Sequence, residues 1–119
     1  MIVGIDHITI AVKDLEKSEE FFKKLGFEVY SRQKPPHGKG DIVRVRLGNL
    51  NIDFHTLDVH PGSKGHIAFL VDDMDKTYEE MKKKDVKFSG RPPTMSHSGR
   101  RMVEIEKDSD GNEWHLASH

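Results

Sequence analysis

Residues 4–12 alternate apolar and polar side chains: Ile8, Ile10 and Val12 take one face, His7, Thr9 and Ala11 the other. A period of two with β-branched residues predicts a half-buried strand. The period then lengthens. Leu15, Ser18, Phe21, Phe22 and Leu25 share one face of a predicted helix over 15–25, with Asp14 as its N-cap and Gly26 as the residue that stops it. Residues 27–32 read as a strand, and 33–40, with two prolines and two glycines, as a loop. Residues 41–47 and 50–56 alternate again and are joined by Gly48-Asn49, a tight-hairpin signal.

The second half repeats the first. His66-Ile67-Ala68-Phe69-Leu70-Val71 stands 59 positions after His7-Ile8-Thr9-Ile10-Ala11-Val12, and Lys76, Glu79 and Lys82-Lys83 match Lys17, Glu20 and Lys23-Lys24. Residues 65–71 therefore read as a strand, and Asp73 caps a helix running to about Lys84. A short strand over 86–89, a polar loop over 90–99 and a hairpin of 101–106 with 113–118 complete the repeat. Each half is strand, helix, strand, strand, strand. One such unit hardly covers its own sheet, so two should pack side by side. Module one takes residues 1–57, a connector 58–64 and module two 65–119.

Composition narrows the function. A net charge of -1 with 33% charged residues argues against a nucleic-acid binder. The chain lacks cysteine, which excludes disulfides, thiolate zinc sites and a cysteine nucleophile and fits a cytoplasmic protein. No apolar run reaches the roughly 20 residues that span a bilayer, and the N-terminal segment has no signal-peptide pattern.

Strand parity places the candidate chemistry. Ile52 and Phe54 form the apolar side of the fourth strand, so Asp53 and His55 lie opposite. Trp114 and Leu116 do the same in the eighth, leaving Glu113 and His115 opposite. If each helix covers the apolar face, the polar face carries His7, Asp53, His66 and His115 at matched positions of the two repeats. Three imidazoles and a carboxylate are a ligand set for zinc, nickel, iron, cobalt or manganese rather than magnesium or calcium. His55 is a fifth candidate, as ligand or substrate contact. A bland alternative stands beside this. If Val45 pairs with Ile52, Arg44 lies across from Asp53 and Glu104 from His115, and both can be ordinary cross-strand pairs.

These segments resemble the vicinal oxygen chelate superfamily, which includes glyoxalase I, methylmalonyl-CoA epimerase, extradiol dioxygenases, fosfomycin-resistance enzymes and bleomycin-binding proteins. The resemblance rests on Asp6 through Leu15, Phe21-Phe22-Lys23-Lys24-Leu25-Gly26-Phe27, Gly65-His66-Ile67-Ala68-Phe69 and Asp108-Ser109-Asp110-Gly111-Asn112. It implies an α+β fold of two βαβββ modules related by a pseudo-two-fold, forming a curved mixed sheet around a metal. It implies His7 and His66 as ligands. Asp53 stands where Glu or Gln is common and His115 where Glu is typical, so the usual carboxylate base of the glyoxalase branch is missing.

The resemblance implies a metal-dependent lyase or isomerase of glyoxalase-like type, acting on a small substrate that chelates the metal through two oxygens. A ferrous extradiol-type dioxygenase and a metal-free antibiotic-binding protein are the alternatives. Asp53 is the first candidate base, with Glu104 and Glu113 in reserve. Arg44, Arg46 and Arg100 could receive an anionic substrate group. Ser96-His97-Ser98-Gly99-Arg100-Arg101 is similar to a polar loop of fosfomycin-resistance enzymes, and a surface turn explains it as well. A homodimer is expected, with or without exchange of modules between chains.

Overall fold

A computed structural model describes residues 1–33, 41–56, 59, 63–95 and 99–119. Its elements are β1 (Ile2–Val12), α1 (Leu15–Lys24), β2 (Glu28–Gln33), β3 (Ile42–Leu47), β4 (Leu50–Thr56), β5 (Gly65–Val71), α2 (Met74–Lys83), β6 (Phe88–Met95), β7 (Arg101–Ile105) and β8 (Trp114–Ser118). The order is βαβββ twice, as expected of this α+β fold. The described residues fall into two compact units: His7–Gly65, and Met1–Asp6 together with His66–His119.

In the first unit the strand order is β2-β3-β4-β1. β1 runs parallel to β4, and β3 is antiparallel to both β2 and β4. Phe27, Val43, Val45, Ile52 and Phe54 are buried together, and Ile8, Ile10, Val12, Leu15 and Phe22 pack on them. Phe22 of α1 stacks on Phe54 at 5.5 Å. The helix thus covers the face that carries Ile8, Ile10 and Val12, and the His7–Thr9–Ala11 face is the other one. Asp14 caps α1 by accepting from the Lys17 amide, and Gly26 follows the helix at φ 101°.

The second unit repeats this as β5-β8-β7-β6, with β5 parallel to β8. Val71, Met74, Val103 and Leu116 are its core, with Phe69, Tyr78, Met81, Phe88 and Ile105 packed around them. Asp73 caps α2 from the Lys76 amide. At the position matching Gly26 stands Asp85, also left-handed at φ 64°. Aspartate tolerates that region better than most residues, so the same helix stop is made without glycine.

β1 and β6 differ most from expectation. β1 begins at Ile2 rather than at residue 4. β6 extends to Met95 through residues that composition assigned to a loop, Pro92-Pro93 among them. The strand tolerates them because it lies at the end of the strand order, where a missing N–H breaks no ladder, and because residues 90–93 bulge out between the Ser89–Glu104 and Thr94–Met102 pairs. Most of the expected loop at 33–40 and of the connector, and Ser96-His97-Ser98, lie outside the described residues. Among the described residues no helix is long and apolar enough to cross a membrane.

Candidate metal centre

The second unit carries the clearest donor group. β5 and β8 pair in parallel with Ala68 opposite His115. Phe69 and Leu116 point to the core, so Ala68 and His115 point away from it, and so do His66 and Glu113, each two residues earlier. Ala68 has no bulk to hold the two histidines apart. The imidazoles of His66 and His115 stack with centroids 3.6 Å apart and planes 21° apart. One donor atom each from His66, Glu113 and His115 lies within 4.8 Å of the others. Two ligands on a tetrahedral ion at about 2.1 Å stand about 3.4 Å apart, and lone pairs in two nearly parallel rings do not converge, so the imidazoles must rotate out of their stack for this group to close on a metal. Two neutral-nitrogen donors with one carboxylate suit a divalent transition ion.

The turn before β8 fixes this geometry. Asp108 accepts from the amides of Asp110 and Asn112, both at 3.0 Å, from Asn112 Nδ2 at 3.2 Å and from Trp114 Nε1 at 3.0 Å. The indole and amide donors hold the Asp108 carboxyl down at about 2. Trp114, so anchored, stacks on Phe69 of β5 with planes 2° apart. Glu113 and His115 flank that anchored residue, which sets the direction of both.

Glu104 lies across β7–β8 from His115, as the register predicts, but it is exposed and accepts from the Ser89 hydroxyl at 3.5 Å. Lys107 Nζ is 3.7 Å from Glu113 Oε1. Arg100 is buried with its guanidinium 3.8 Å from Asp6, which also contacts His119 Nε2 at 2.6 Å.

The first unit holds the matching residues in the same register. Asp53 of β4 pairs with Thr9 of β1, as His115 pairs with Ala68, so His7 stands to Asp53 as His66 stands to His115. His7 is buried on β1. The Arg44–Asp53 pairing expected from Val45 opposite Ile52 is present. Arg44 Nε faces Asp53 Oδ2 at 3.4 Å, and both residues are buried, at 6% and 4% exposure. Arg44 Nη1 also donates to Gln33 Oε1 at 2.6 Å and to Ser31 Oγ at 3.4 Å. Arg44 is therefore an internal counter-charge more than an open anion receptor. His55 is buried on the same face, with Nδ1 2.8 Å from the Thr56 carbonyl. Arg46 points to the surface, bonded to Glu28 at 2.6 Å and stacked over Tyr30.

Of the expected site residues, the structure brings His66 and His115 together and adds Glu113, which the sequence offered only as a reserve base. The signal was present in the strand spacing Glu113-Trp114-His115, which puts two donors on one face.

Comparison with known proteins agrees with this architecture. The family model described as the Glyoxalase/Bleomycin resistance protein/Dioxygenase superfamily matches residues 4–116. The mitochondrial methylmalonyl-CoA epimerase of Homo sapiens is 26% identical, over 90% of this chain and 69% of its own length. The crystal structure of methylmalonyl-CoA epimerase from Mycobacterium tuberculosis superposes with a TM-score of 0.81 at 18% identity, covering 98% of this chain and 88% of the other. A Streptomyces coelicolor methylmalonyl-CoA epimerase in complex with 2-nitronate-propionyl-CoA gives 0.79 at 23% identity, covering 99% and 95%. With its twofold βαβββ order, its paired histidines and a family match over nearly its whole length, this chain belongs to the glyoxalase/bleomycin resistance/dioxygenase superfamily.

Proposed function

We propose that this chain is a metal-dependent isomerase that moves a proton at a carbon beside a carbonyl, on a small substrate offering two oxygens to the metal. The observation that carries this reading is the His66–Glu113–His115 donor group on the polar face of the second unit. A divalent transition ion bound there supplies Lewis acidity, drawing electron density from substrate oxygen and acidifying the adjacent C–H. His66 and His115 would hold the ion through ring nitrogen. On the sequence repeat alone, His7 is read as the ligand that the first repeat contributes. Asp53 is the first candidate to accept the proton, with Glu104 in reserve.

The choice of isomerase over lyase rests on the similarity to methylmalonyl-CoA epimerases. It makes CoA thioesters of 2-substituted acids the first substrates to try. The test is proton exchange in D2O, followed by NMR at the carbon beside the thioester carbonyl. Stripped protein is reloaded in turn with zinc, nickel, cobalt, manganese or ferrous iron and given methylmalonyl-CoA and related thioesters. Metal-dependent wash-in of deuterium is expected, falling by roughly 10²-fold or more in Asp53→Asn if Asp53 carries the proton. Exchange no faster than the uncatalysed rate with every metal and thioester contradicts the reading.

A further inference from the structure

We propose that Glu113 is a metal ligand in this chain and that Lys107 is the latch that holds it until the ion arrives. The inference rests on the proposed metal centre and adds to it the source of its carboxylate and the cation that competes for it.

Two carboxylates, Asp53 and Glu113, each share a polar face with candidate histidine ligands, and their surroundings differ. Asp53 faces a buried guanidinium at 3.4 Å. Arg44 is also held by Gln33 and Ser31. A dication brought to Asp53 meets a permanent positive charge in a place where water screens it poorly. Glu113 has the opposite setting. Its oxygen lies within 4.8 Å of ring nitrogens from both His66 and His115. Its side chain is 21% exposed, so an ion can reach it from solvent.

The cation beside Glu113 is of a kind that gives way. Lys107 is 59% exposed and stands at 3.7 Å, beyond good hydrogen-bond length. An ammonium on a flexible stem at the surface is hydrated, screened and able to leave. The backbone between the two residues is the turn tied down by Asp108, whose carboxylate takes four donors. Lys107 and Glu113 are thus presented from the two ends of one braced turn. When the ion binds, the Glu113 oxygen turns from Lys107 to the metal, and Lys107 goes to water.

The test is zinc affinity, measured by competition with a chromogenic chelator, on the full chain and three variants. Glu113→Gln keeps the size of the side chain and removes its charge. It is expected to weaken zinc binding by about 100-fold or more, at the upper end of what a supporting residue costs. Lys107→Ala is expected to tighten it by about 2- to 5-fold, with the gain shrinking in high salt. His66→Ala reports on the metal centre itself and is expected to abolish tight binding. Should Glu113→Gln fail to fold, Glu113→Asp, which keeps the charge on a shorter stem, and Lys107→Ala carry the test. If His66→Ala loses zinc while Glu113→Gln binds within twofold of the parent, the inference is overturned and the metal centre stands. Zinc binding absent from the parent overturns both. An unchanged affinity in Lys107→Ala overturns the latch alone.

Discussion

Among the described residues, Asp53, Asp6, Glu104 and Glu113 each have a different neighbour. Asp53 faces buried Arg44, Asp6 faces Arg100 and His119, Glu104 takes the Ser89 hydroxyl, and Glu113 meets exposed Lys107. The Arg44–Asp53 pair was legible in the sequence, because one hairpin register fixes every opposite residue. Glu113 was legible only as a polar residue on the right face, since a strand pattern gives the side but not the distance. Asp108 is a fifth case, with a structural task. Its carboxyl is held at about 2, below the usual 3.8, chiefly by the Trp114 indole and the Asn112 amide. A depressed folded-state value means that its contribution to stability is complete above pH 3.8 and is lost as pH falls towards 2. Asp108→Asn should therefore melt below the parent at pH 6, and the gap should close between pH 4 and 2. Melting curves of the two proteins across that range check it; a gap that holds constant to pH 2 contradicts the role given to Asp108.

At the level of elements, helices and strands followed from periodicity, capping residues and the Gly48-Asn49 turn. What periodicity misread was β6, where two prolines imitate a loop although an edge strand tolerates them. The helix stop at Asp85 was hidden for a similar reason: the repeat puts it level with Gly26, but aspartate is a weaker sign of a left-handed residue. Gly65 is a different matter. It opens β5 at φ 124°, and a Cβ there would stand 2.0 Å from the Thr9 carbonyl oxygen and 3.0 Å from the Ile10 Cα. The neighbouring Lys64 carbonyl accepts from the Ala11 amide at 3.0 Å, so the chain is pinned against β1 just where a side chain has no room. Gly65→Ala should cost at least about 2 kcal/mol, through positive φ and a clash with backbone that cannot step aside. Chemical denaturation measures this directly, and a loss under 0.5 kcal/mol, roughly the scale of an ordinary surface change, rejects it.

For the whole molecule, the informative quantity is the repeat. It sets two βαβββ modules in sequence, and the structure gives each its own apolar core and its own polar face. His7 and His66, and then Asp53 and His115, occupy matched places in matched parallel ladders. The family was visible in the same residues, but the reaction was not, because this kind of scaffold hosts many chemistries and the ligand set alone does not choose among them. X-ray absorption at the zinc edge of the zinc-loaded protein tests the His66–His115 metal centre. The expected result is a shell of nitrogen and oxygen at about 2.0–2.1 Å with the outer-shell scattering of at least two imidazoles. That imidazole signal should fall, or the zinc be lost, when His66 and His115 are both changed to alanine. A zinc shell with no imidazole contribution in the parent protein, or one that survives the double change intact, would contradict it.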